Sequence, residues 1–184
     1  FLNKNGYYFK TEGKTFREFM QGKILLQNNE SANIKDFENH LATIFTETRL
    51  KKYIEIRSLD TCEWDCHCSG PAFYTGLLYG NLDAALEIIN KWNISDTLNA
   101  YIESPKKGFE TMLANKTLLE WSKIFLDLAK KGLESRSIKN DSGNKESIFL
   151  KSIETIVNKK SNKAMNTIDK FKKQNNLDFL YEKA

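Results

Sequence analysis

Arg49-Leu50-Lys51-Lys52-Tyr53-Ile54-Glu55-Ile56-Arg57-Ser58-Leu59-Asp60 is the stretch on which the reading of this chain turns. Taken as a β-strand, with successive side chains on opposite faces, it divides into two unlike surfaces. Arg49, Lys51, Tyr53, Glu55 and Arg57 line one face; Leu50, Lys52, Ile54 and Ile56 line the other, with Ile54 and Ile56 as its anchors. A row of three cations, a carboxylate and a phenol suits a surface that holds phosphate together with a metal ion. Guanidinium groups pair with phosphoryl oxygens, and a carboxylate holds Mg²⁺. The same alternation also describes an edge strand with cross-strand ion pairs, and the residues alone leave both readings open.

Upstream of this stretch the pattern is mixed. Tyr7-Tyr8-Phe9-Lys10 predicts a short strand, closed by a turn at Thr11-Glu12-Gly13-Lys14. Thr15 predicts a helix start, with Glu18 in the capping-box position and Gly22 just beyond the end. A polar loop is expected over 27–33, and then a helix with Phe37, Leu41 and Ile44 on one face and Asp36 as its cap. Downstream, a cysteine-bearing loop ends at Gly70-Pro71, where a helix starts that runs to Gly80. Further helices are expected at 82–92, at 95–104 (stopped by Pro105), at 118–133 (ending at Gly132), at 146–159 and at 163–174, with a turn at Asp141-Ser142-Gly143-Asn144. Their aliphatic and aromatic stripes are core positions. The chemistry therefore lies before Pro71, and the rest is packing scaffold.

Length and composition narrow the field. With 184 residues, 40% apolar and 28% charged, the chain has the composition of a soluble globular protein with room for a sizeable core. No apolar run approaches the roughly 20 residues of a membrane span. A net charge of +4, from 28 Lys and Arg against 24 Asp and Glu, is too mild to argue for nucleic acid. The start, Phe1-Leu2-Asn3-Lys4-Asn5-Gly6, has neither an initiator Met nor the plan of a secretion signal, so a fragment of a longer protein is expected. Cys62, Cys66 and Cys68 with His67 raise a zinc reading, but only His40 remains elsewhere and no second CxxC exists to complete four ligands. Free thiols in a reducing compartment, a bacterial cytoplasm, are the expectation instead.

Asn39-His40-Leu41-Ala42-Thr43-Ile44-Phe45 followed by Thr48-Arg49-Leu50-Lys51-Lys52-Tyr53-Ile54-Glu55-Ile56-Arg57 resembles the central motif of glutamate–cysteine ligases of the plant and alphaproteobacterial type. The likeness continues through Trp64, Cys68 and Pro71-Ala72-Phe73-Tyr74-Thr75-Gly76-Leu77-Leu78-Tyr79, and upstream through Thr15-Phe16-Arg17-Glu18-Phe19 and Gly22. Gly132-Leu133, Arg136 and Phe149-Leu150 fall at similar spacings. Thr46 stands where that family has Pro, and Asp65 and Cys66 where it has two arginines.

The resemblance implies an α+β fold: the C-terminal part of a carboxylate–amine ligase like glutamine synthetase and the guanidino kinases, with antiparallel active-site strands followed by a helical half. The whole chain, 1–184, would be part of one catalytic domain, 1–70 carrying active-site strands and helices and 71–184 the helical scaffold. It implies ATP-dependent joining of L-glutamate, through γ-glutamyl phosphate, to L-cysteine, the first step of glutathione synthesis. Small-molecule partners (L-glutamate, L-cysteine and ATP) and Mg²⁺ follow, with no nucleic acid, no membrane and a cytoplasmic location; monomer and homodimer stay open. By the same resemblance Glu55 binds Mg²⁺ and Arg57 contacts the transferred phosphoryl group. Arg49 and Lys51 assist with phosphate or substrate carboxylate, or else are solvated or ion-paired. His40 supports the sheet by hydrogen bonding, with a catalytic part as the alternative; Cys68 matches a family cysteine that joins a redox-sensitive disulfide in plant members, and a buried thiol is the default expectation here. The chain by itself is expected to be inactive. A ligase of the same fold using another amine, and a non-catalytic helical interaction module, are the alternatives.

Overall fold

A computed structural model describes residues 2–4, 6–24, 31–60, 62 and 64–181. The chain divides into two units, Phe1–Leu59 and Asp60–Ala184. Helices and small antiparallel sheets give a mixed α+β composition. Among the described residues the strands make three separate two-stranded sheets.

In the first unit, β1 (Leu2–Lys4) pairs antiparallel with β2 (Tyr7–Phe9). The expected turn follows, with the Lys14 N–H donating to the Thr11 carbonyl at 3.0 Å. Helix α1 (Phe16–Met20) has the predicted capping box: the Glu18 N–H donates to the Thr15 hydroxyl, and the Thr15 N–H to the Glu18 carboxylate at 2.7 Å. Five residues do not make a stable helix alone. Phe19, 1% exposed and packed by Phe9, Phe16, Ile24 and Ala32, holds it in place. Helix α2 (Ile34–Ala42) starts earlier than expected, because Asn33 rather than Asp36 is its cap. Asp36 is the returning half of that box, accepting from the Asn33 N–H at 2.9 Å. The polar loop predicted over 27–33 lies partly outside the described residues. Strands β3 (Thr48–Leu50) and β4 (Ile54–Ile56) close the unit.

The second unit is built on helices. Helix α3 (Ser69–Thr75) runs on into a π-helical segment, Gly76–Gly80, followed by α4 (Leu82–Ile89) and α5 (Ile94–Lys107). Asn93, two residues before the expected start, caps α5, and Pro105 does not stop it. Proline removes one N–H from the last turn, and the carbonyl thereby left over, that of Tyr101, accepts from the Ser104 hydroxyl at 3.2 Å. A hairpin of β5 (Met112–Leu113) and β6 (Lys116–Thr117), not foreseen from sequence, turns through Ala114 and Asn115, both at positive φ. It delivers Thr117 as the cap of the long helix α6 (Leu118–Arg136). Residues Glu146–Leu150 form a 3₁₀ turn ahead of α7 (Lys151–Lys159) and α8 (Lys163–Gln174). The core gathers Ala72, Leu77, Ala85, Leu126, Ala129, Leu133, Leu150 and Val157.

Gly132 does not end α6, which continues to Arg136 and closes at Ser137 in the left-handed conformation. Its role is contact. A Cβ placed on Gly132 would lie 2.8 Å from the Gly76 carbonyl carbon and 3.2 Å from that of Gly80. One on Gly76 would lie 2.8 Å from the Ala129 carbonyl carbon. The π-helical segment and α6 therefore meet backbone to backbone.

The Thr117–Glu120 box gives a direct test of capping. The Thr117 N–H and hydroxyl both donate to the Glu120 carboxylate at 2.8 Å, and these two bonds, the backbone one first, hold its pKa below the ordinary value of 4.5. Thr117→Ala is expected to cost about 1 kcal/mol in urea unfolding at neutral pH. A carboxyl whose pKa is lowered by folding contributes stability above its ordinary value and loses it as pH falls through the lowered one. The gap between the parent chain and Thr117→Ala should therefore narrow below pH 4.5. A gap independent of pH there would assign the cost to something other than the box.

Candidate active site

The stretch 49–60, which reads as one continuous strand, does not form one. The chain folds back at Lys51-Lys52-Tyr53, and β3 and β4 pair with Thr48 opposite Ile56, Arg49 opposite Glu55 and Leu50 opposite Ile54. The turn contains neither Gly nor Pro. It is held by the Lys51 N–H donating to the Tyr53 carbonyl at 2.8 Å, and the Lys51 ammonium lies 5.8 Å from the Tyr53 ring centre. The polar face survives by a different route. Directly opposed residues of an antiparallel pair point to the same side, so pairing places Arg49 beside Glu55. One step further, the Arg57 N–H donates to the Glu47 carbonyl at 2.8 Å, and the two-residue pleat puts Arg57 on that side as well.

Each candidate then has a definite surrounding. The Lys51 ammonium is 3.4 Å from Glu55 Oε2, within a partly exposed ion pair. Arg49, although opposite Glu55, donates from Nη2 to the Ile44 carbonyl at 3.0 Å and ties the strand to the segment leaving α2. The Arg57 guanidinium lies over the Phe45 ring at 5.3 Å, a support that sequence reading missed although Phe45 sits within the quoted motif. Among the described residues two buried polar atoms at the hairpin have no hydrogen-bond partner: Glu55 Oε2 and Arg57 Nη1. A buried guanidinium N–H left unmatched costs stability unless something else satisfies it. A carboxylate held only by an ion pair and a guanidinium with a spare N–H, on one side of the hairpin, fit a cation beside an anionic oxygen. The opposite face is less anchored than expected, for Ile56 is half-buried but Ile54 is 67% exposed.

The remaining candidates take structural places. His40 stacks on Phe16, with ring centres 4.5 Å apart, and its ring has no hydrogen bond among the described residues, so stacking replaces the expected polar support. Cys62 and Cys66 form a disulfide rather than the expected free thiols; a single 3₁₀ turn, Trp64–Cys66, brings their Cα atoms to 6.0 Å, a span that a disulfide bridges. Cys68 is free, and it is exposed rather than buried. Among the described residues no group of three or more His, Cys, Asp or Glu side chains is placed to hold a metal ion. Glu55 is not part of any such group.

The hairpin thus presents a carboxylate and guanidinium groups on one side, and similarity to known proteins gives the chain a family. The model of glutamate-cysteine ligase family 2 (GCS2) matches residues 3–182, and the chain belongs to that family. It is 35% identical over 159 residues to the chloroplastic glutamate–cysteine ligase of Solanum lycopersicum, covering 85% of this chain and 29% of that protein. The chloroplastic enzymes of Brassica juncea and Arabidopsis thaliana are each 36% identical over 159 residues, 85% of this chain and 30% and 29% of theirs. The chain thus spans less than a third of the length of these relatives. All three are chloroplastic proteins, which overturns the cytoplasmic location expected from the composition and the cysteines.

Proposed function

We propose that this chain is the C-terminal part of the catalytic domain of an ATP- and Mg²⁺-dependent glutamate–cysteine ligase, with the fold of the glutamine synthetase and guanidino kinase group. The reading is supported by the family match and carried by one observation: Glu55, held by an ion pair alone, and Arg57, with a buried Nη1 that has no hydrogen bond among the described residues, share one side of the hairpin. Glu55 would be one of the carboxylates that hold Mg²⁺. The ion, when bound, neutralises phosphate charge and orients the phosphates. Arg57 donates to the phosphoryl oxygens as the γ-carboxylate of glutamate takes up the phosphoryl group from ATP. Phe45 beneath its guanidinium limits its freedom, so less order is lost on binding. The amine of cysteine then displaces phosphate from γ-glutamyl phosphate, forming γ-glutamylcysteine. Lys51 holds Glu55 in place through their ion pair, while Arg49 steadies the strand from behind and adds positive potential to the same side.

Phosphoryl transfer depends on positioning and charge neutralisation, so an incomplete ligand set gives no turnover. The test is ADP release by a full-length enzyme containing this chain, given Mg-ATP and L-glutamate, with and without L-cysteine. Release that rises with cysteine supports the reading. Release that ignores cysteine but responds to another amine retains the class and changes the acceptor. No release with any amine, from a folded enzyme, refutes it.

A further inference from the structure

Asp65 and the segment from Ile148 to Asn166 border an open cavity of about 670 Å³ in the second unit. Small-molecule sites occupy roughly 300–1,000 Å³. The charge of this cavity is one-sided. Lys151 and Lys159 stand at the two ends of α7 and Lys163 begins α8; all three line it, against the single carboxylate of Asp65. Glu154, the one acid of α7, is engaged elsewhere, its carboxylate paired with Lys130 of α6 at 2.8 Å. Lysines nearby in the sequence sit against carboxylates, as Lys107 does on Glu103 and Lys131 on Asp127. Lys151 and Lys159 have no ion pair among the described residues.

Donors accompany the charge. Ser152, which carries a hydroxyl donor, lines the cavity. So does Asn166, whose side-chain oxygen accepts from the Ser161 hydroxyl at 2.8 Å, leaving its amide NH₂ to donate. Helix α8, twelve residues long, begins at the rim and adds the partial positive charge of a helix start. Ile148 and Phe149, 44% and 41% exposed, give the same cavity an apolar wall. Cations and donors on one side and an apolar wall on the other match an organic anion with a flat or greasy part.

We propose that this cavity binds a phosphorylated small molecule, its phosphate held by Lys151, Lys159 and the Ser152 hydroxyl and its organic part laid on Ile148 and Phe149. The site belongs to the helical unit and shares no residue with the hairpin of Glu55 and Arg57. The experiment is an amide-shift titration of the ¹⁵N-labelled 184-residue chain with inorganic pyrophosphate and, separately, with ADP. Saturable shifts at Ser152, Thr155 and Asn166 are expected with both probes. Binding should weaken about tenfold or more in the Lys151→Gln/Lys159→Gln double variant, and Glu55→Gln should leave it unchanged. Both lysines are exposed, so the double variant should melt as the parent does, which a thermal scan verifies. Shifts that never saturate, or a double variant that binds as tightly as the parent, would overturn the proposal. ADP bound no more tightly than pyrophosphate would overturn the part given to Ile148 and Phe149.

Discussion

Glu55→Gln, in a full-length enzyme containing this chain, is expected to lower kcat for cysteine-dependent ADP release by roughly 10²–10³, about 2.7–4 kcal/mol of transition-state stabilisation. The amide has the shape of the carboxylate but cannot carry the charge that a divalent cation requires. Stability should move in neither direction by much. Among the described residues Glu55 Oε2 has no hydrogen bond to lose, and its pairing with Lys51, at side-chain exposures of 33% for Glu55 and 42% for Lys51, is of the kind worth ~0–1 kcal/mol. An active-site role thus predicts a large loss of turnover at constant melting temperature. If Glu55 were only half of a surface ion pair, turnover would be unchanged, and that outcome would remove the hairpin from the chemistry.

Gly132→Ala should do the opposite, damaging the fold without touching the hairpin. In an ordinary helix interior this exchange stabilises, by about 0.5–1 kcal/mol. Here the new methyl would sit 2.8 Å from the carbonyl carbon of Gly76, and the obstacle is backbone, which cannot rotate away. The two helices must separate, at a cost near the top of the ~1–3 kcal/mol typical of overpacking. For a chain of this size that lowers the melting temperature by about 6–12 °C. A calorimetric scan decides it, because the two accounts differ in sign: a raised melting temperature would show that the crossing has slack.

Local rules were legible where side chain and backbone act within a few residues of each other. The Thr15–Glu18 box and the 163–174 helix follow from caps and periodicity, and the structure has them. The errors share a cause, which is that a local signal had two uses. Gly132 reads as a helix end because glycine often follows one, yet its missing side chain serves a distant partner that no local window contains. Pro105 reads as a stop, but a neighbouring hydroxyl donates to the orphaned carbonyl. The hairpin turn at Lys51-Lys52-Tyr53 has none of the residues that usually mark turns, so alternation looked unbroken. The polar face was nevertheless found, since residues 49 and 55 differ by an even number and share a side whether the strand is straight or folded between them. Phe45 beneath Arg57, by contrast, is a tertiary neighbour and carried no charge or spacing signal of its own.

The meeting of Gly76, Gly80 and Gly132 also bears on how this chain can change over time. A crossing mediated by side chains can drift, because enlargement on one helix is absorbed by shrinkage on the other. Here both partners are already at the smallest residue, and no reciprocal exchange exists. The three positions behave as a ratchet with no backward tooth: each forbids growth at the others. Descendants that have lost every other resemblance should still align at this crossing.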